Sequence, residues 1–153
     1  MLRRSSDGSR FATGRGQFLT DLPGVAGGLP RIFVDVTIAS ARTYAALDTG
    51  GGYVVCDPEF ANLAMIPAGA ECVGTAGIEV RGRLYSGTLY RTRMELIAHE
   101  GSSLELEGVA FVPSLDAGAT WPLPPAVLGF RGMLEYLRFA IDPRDESFYF
   151  GSC

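Results

Sequence analysis

Ala45-Ala46-Leu47-Asp48-Thr49-Gly50-Gly51-Gly52 is the stretch on which the fold turns. An apolar run ends on an acid, and three glycines follow Thr49. Glycine loses the most backbone freedom on ordering, so a helix cannot continue through this segment. It reads as a strand that stops at a turn, with Asp48 at the strand end. Upstream, Arg31 to Ile38 alternates, Ile32, Val34 and Val36 opposing Phe33 and Thr37, which is strand period. Ala39-Ser40-Ala41-Arg42 turns that strand into the next, Thr43 to Leu47. Downstream, Tyr53 to Cys56 is a short apolar strand, and Asp57-Pro58-Glu59 opens a helix. Asp57 caps it, Pro58 occupies its first turn, and Glu59 faces the positive end of its dipole. That helix ends before Pro67.

The remainder continues in the same manner. Residues 71–98 read as strands and hairpins punctuated by Gly74, Gly77, Gly82 and Gly87. Within them, Tyr90, Thr92, Met94 and Leu96 face one way and Arg91, Arg93 and Glu95 the other. Gly108 to Val112 is a further strand. Residues 113–126 form a Pro-rich loop around Trp121, read as a stiff cover for the core. Val127-Leu128-Gly129 is a very short strand, and Phe130 to Leu137 fits one short helix. Phe139-Ala140-Ile141 pairs with Phe148-Tyr149-Phe150 across Pro143-Arg144-Asp145-Glu146. Residues 1–29 are polar and Gly-rich and read as a flexible arm, with one short strand near Phe18 and Leu19. The expectation is a mainly-β domain over residues 30–151: a small closed barrel or sandwich with one or two short helices.

Composition narrows the function. At 153 residues and 47% hydrophobic content, the chain suits one domain with a real core. Its net charge is −4, and its basic residues, all Arg, are scattered, so no footprint for nucleic acid is expected. No apolar run approaches the roughly 18 residues of a membrane span, and no apolar segment follows the basic start, so no signal peptide or membrane partner is expected. Three cysteines without C-x-x-C spacing argue against a disulfide framework and a zinc site, and point to a cytoplasmic setting. A single His, His99, and no G-x-S-x-G leave a serine triad unsupported. Cys56 reads as core, and Glu105 and Glu107 as a solvated outer face. No Gly-rich phosphate loop precedes a helix, and neither cofactor nor metal is implied.

What remains is Asp48. Hydrolysing a peptide bond with carboxylates takes two of them, one to activate water and one to donate a proton. Held close together they share a single proton, since like charges that near cannot both ionise. Gly50 lets backbone N–H groups approach the carboxylate, and the Thr49 hydroxyl can bond inward and stiffen the loop. An Asp-Thr-Gly tripeptide alone is a weak signal, because Asp-Gly turns between strands are ordinary. A second element adds weight: Val127-Leu128-Gly129 lies about eighty residues downstream, followed by Phe130 to Leu137, then Phe139-Ala140-Ile141-Asp142 and a closing hairpin.

Taken together, the Asp-Thr-Gly turn, the apolar-apolar-Gly strand, the short helix and the late Phe-x-Ile-Asp strand resemble the retropepsin-like aspartic peptidases, including their bacterial single-domain members. The resemblance spans about residues 30–151. It implies a β-barrel of the acid-protease type, a homodimer with one catalytic Asp per chain, a peptide or protein substrate, and a hairpin flap over the site. Asp48, Thr49 and Gly50 would form the catalytic turn, with Thr49 interlocking across the dimer axis. Gly51, Gly52, Tyr85 and Gly129 are the substrate-binding candidates, Gly129 packing beneath the Asp48 loop. The flap would fall within Gly74 to Gly87. Two departures stand out: Gly51 and Gly52 follow where the family usually has Ala or Ser, and the segment between the motifs is longer than in viral members. A non-catalytic retropepsin-like dimerisation or peptide-binding module is the alternative.

Overall fold

Six strands wrap around a shared apolar interior. In the computed structural model, which describes residues 2–23 and 31–153, these are β2 (Phe33–Ile38), β3 (Ala41–Asp48), β4 (Val54–Cys56), β6 (Arg83–Leu96), β8 (Leu104–Pro113) and β9 (Ala126–Gly129). Pairing runs β2-β3-β9-β4-β8-β6 and returns from β6 to β2 through Val36↔Leu96 and Ile38↔Met94, closing the barrel. Closure removes the free edges that an open sheet would present. The chain is therefore mainly β, with two short helices, α1 (Pro58–Leu63) and α2 (Ile66–Gly69).

Further strands extend this barrel. β1 (Gly14–Leu19) runs along β2 and pairs on its other side with β11 (Ser147–Ser152), which pairs with β10 (Leu137–Asp142); β7 (Glu100–Gly101) also meets β1. Of the arm expected over residues 1–29, residues 14–19 are thus part of the sheet, while residues 24–30 lie outside the described residues. Gly14 belongs to β1 because a side chain there would collide with the Phe150 ring and the Ser102 carbonyl. Arg15 ties β1 down, donating to Ser147 Oγ (2.7 Å), Asp145 (2.9 Å) and Glu100 (3.1 Å).

The core has two parts. Val34, Val36, Ile38, Ala45, Val54, Met94, Leu96, Ala110, Leu128, Phe148 and Phe150 belong to the main cluster. Phe33, Ala46, Val55, Phe111 and Val127 form a second on the opposite faces of the same strands, covered by Trp121, Leu123 and Ile78. Burial on both faces explains why β4 and β9 read as unbroken apolar runs rather than alternating ones. β6 does alternate: Thr92, Met94 and Leu96 are buried, while Arg91 and Arg93 pair outside with Glu107 and Glu105 at 3.6 Å.

Helix α1 begins as expected, the Asp57 carboxylate accepting from the Phe60 N–H at 2.6 Å. It stops where Met65 turns left-handed (φ 58°), and α2 restarts with Pro67 in its first turn. The helix expected over 130–137 is reduced to one 3₁₀ turn, Leu134–Tyr136. Gly132 at φ 81° breaks the helical path, and its N–H is bonded to the Glu135 carboxylate at 2.6 Å. No helix among the described residues is long and apolar enough to cross a membrane.

Candidate active-site cleft

Asp48 is the last residue of β3, and the turn that follows is built around its carboxylate. Oδ1 accepts from the N–H groups of both Gly50 and Gly51, each at 3.1 Å, and Gly51 N–H also reaches the Asp48 carbonyl at 3.2 Å. Two donors on one oxygen fix the direction of the acid while leaving it exposed. A methyl group at Gly51 would lie 3.0 Å from Oδ2, whereas one at Gly52 meets nothing within 4 Å. The double glycine thus gives the carboxylate room at one position only. Thr49 is exposed at the crown of the turn, so its hydroxyl stands at the surface of this chain rather than bonding inward.

Beneath the turn passes β9. It lies between β3 and β4, the two strands the turn connects, parallel to the first (Asp48↔Gly129) and antiparallel to the second (Val54↔Leu128). Gly129 is buried, and a side chain there would strike the carbonyl oxygens of Tyr53 and Gly52. Phe130 N–H then donates to Gly51 O at 2.8 Å, stitching the strand end to the turn. The turn closes at Tyr53, held at φ 56°, a conformation costly for a bulky residue.

Asp48 opens into a cleft of about 460 Å³ lined by Arg31, Ala46, Leu47, Arg81, Leu123 and Val127. Arg81 arrives from the hairpin of β5 (Glu71–Val80) and β6. Its two-residue turn, Arg81-Gly82, has positive φ at both positions (52° and 76°), the type I′ geometry that matches strand twist. Past Gly87↔Pro113 the hairpin leaves β8 behind and continues as a two-stranded ribbon to the cleft. A second cavity of about 400 Å³ adjoins the first, sharing Arg31, Arg81 and Leu123 and walled by Trp121 and its neighbouring prolines.

Asp48, Thr49, Gly50, Gly51, Gly52 and Gly129 are therefore gathered at one place. Tyr85 is not. It is only 8% exposed, edge-on to Trp121 with ring centroids 5.0 Å apart, and does not line the Asp48 cleft. The Pro-rich loop needs that ring as a packing partner. Arg31 and Arg81 escaped the sequence reading, although Arg81-Gly82 between two alternating runs is itself a hairpin signal. Among the described residues, Asp48 is the one carboxylate lining this cleft. Asp35, on β2, has a buried side chain engaged by Arg42 at 2.9 and 2.5 Å. Burial pushes the Cys56 thiol up, which makes it inert. No three His, Cys, Asp or Glu side chains cluster to hold a metal among the described residues. No protein-family model matches this chain, and no curated protein matches it significantly.

Proposed function

We propose that the protein is an aspartic endopeptidase of the retropepsin-like type, active as a homodimer in which each copy contributes Asp48. The observation that carries this reading is the pairing of an exposed, N–H-anchored carboxylate with β9 passing beneath its turn. That arrangement stiffens the acid from below and leaves its free side toward the cleft. One chain offers a single cleft carboxylate, and a single carboxylate cannot be base and acid at the same moment. A second copy supplies the missing group. Phe130, 47% exposed beside the turn, provides apolar surface for that contact.

In the dimer the ionised Asp48 takes a proton from water, whose oxygen attacks the peptide carbonyl. The protonated twin donates to the carbonyl oxygen. The gem-diol intermediate then collapses: the C–N bond breaks, the first carboxyl gives its proton to the leaving amine, and the twin takes back a hydroxyl proton as the new carboxyl group forms. Only the singly protonated pair is competent, so activity passes through a maximum as pH is varied. The hairpin ending at Arg81 is placed to cover bound peptide, as a flap does.

The test is hydrolysis of denatured casein across the acid-to-neutral range by the protein and by Asp48→Asn. The expected result is proteolysis that falls by at least about a thousandfold in the variant. Equal proteolysis by both rejects the proposal.

A further inference from the structure

We infer that the groove running from Asp48 to Trp121 selects peptides bearing an acidic side chain, with Arg31 and Arg81 as its specificity-determining residues. This rests on the peptide-handling reading of the cleft and goes beyond it by naming the substrate class. Three observations carry it.

First, the two adjoining cavities share both arginines and Leu123, so Arg31 and Arg81 line the place where one cavity meets the other. Second, neither arginine forms an ion pair among the described residues, while Arg83, the hairpin neighbour of Arg81, reaches Asp116 at 4.0 Å. Two carboxylates, Asp48 and Asp57, also line the groove, and neither pairs with Arg31 or Arg81 among the described residues. Each arginine is thus left free to take a carboxylate from a bound peptide. Third, Arg81 occupies a left-handed turn position that Asn or Gly fills at less cost.

Around these cations the groove is apolar, formed by Leu22, Trp121, Leu123 and the flanking prolines. Trp121 Nε1–H is buried without an acceptor, so a donor lies unused in the wall. An extended peptide fits such a wall, and a Glu or Asp side chain answers the two arginines.

The experiment uses two peptide pools, identical except that a fixed central residue is Glu in one and Gln in the other. Cleavage by the wild-type protein is read by mass spectrometry. Binding to Asp48→Asn is read by the fluorescence of Trp121, the only tryptophan in the chain. The Glu pool should be bound and cleaved about tenfold better. The preference should fall toward parity in Arg31→Gln and Arg81→Gln and invert in Arg81→Glu, while Arg93→Gln, outside the groove, leaves it intact. Equal binding of the two pools by the protein overturns the inference, even if both are cleaved. Preferential binding of the Glu pool without cleavage leaves the inference standing and rejects the peptidase reading. Absence of both binding and cleavage overturns both.

Discussion

Asp48 and Gly129 face each other across the β3–β9 pairing, and substitutions at the two separate chemistry from architecture. Asp48→Asn keeps the shape of the side chain and both N–H contacts to Oδ1, so its unfolding midpoint should stay within about 0.5 kcal/mol of wild type while hydrolysis is lost. Gly129→Ala should do the reverse of a silent change. Its methyl meets two backbone carbonyls that cannot swing aside, a destabilisation of about 1–3 kcal/mol or more by urea titration. Gly52→Ala, which meets nothing, should fall within about 0.5 kcal/mol of wild type. Should Gly52→Ala prove as harmful as Gly129→Ala, the packing described beneath the turn is wrong. A third comparison concerns Asp35 and Arg42. Removing the exposed partner strands a carboxylate whose side chain is 4% exposed, with only His99 Nε2 at 3.7 Å nearby. Arg42→Met should therefore melt at a lower temperature than Asp35→Asn. At this scale the Asp48 turn was legible as a strand end because one acid, one hydroxyl residue and a run of glycines leave few alternatives. Arg31 and Arg81 were not, because thirteen scattered arginines look alike until the fold brings two of them to one cleft.

Among the elements, the β5–β6 hairpin separates stability from recognition. Asn accepts the left-handed conformation of position 81 more readily than Arg, so Arg81→Asn should stabilise the fold by about 0.5–1 kcal/mol in chemical denaturation. The same substitution should weaken discrimination between acidic and amide peptides. A variant that gains stability and keeps full discrimination would separate Arg81 from recognition. Strands with clear alternation, β2 and β6, were readable from periodicity, as was the capped start of α1. Misreadings occurred where packing overruled local pattern. Gly14 and Gly16 look like linker residues, yet Gly14 makes space for Phe150. Residues 130–137 carry a helical pattern, yet Gly132 breaks it. The pairing expected between Phe139-Ala140-Ile141 and Phe148-Tyr149-Phe150 is present, with β1 added on the other side of β11. β11 is thus paired on both sides, with Phe148 and Phe150 each 1% exposed, so it offers no free edge for a partner strand.

For the whole molecule, the closed barrel expected from many short apolar segments between turns is present, but the pairing that closes it was not legible. The β2–β6 pairing joins residues about sixty apart, a contact no local pattern announces. Closure also bears on assembly. With the barrel strands paired to one another, a second copy is expected to meet the Asp48 turn and Phe130 rather than add to the barrel. Phe130→Asp should therefore lower the sedimentation coefficient to that of a monomer and abolish hydrolysis, with the fold intact by circular dichroism. Dimers persisting in that variant would move the interface elsewhere. Subunit mixing bears on the pairing of Asp48 itself: wild-type protein is exchanged with increasing amounts of Asp48→Asn at constant total concentration, and proteolysis is followed. If two Asp48 carboxylates from separate chains are required, activity falls as the square of the wild-type fraction. A decline in simple proportion to that fraction would mean that each chain acts alone and would contradict a shared active site.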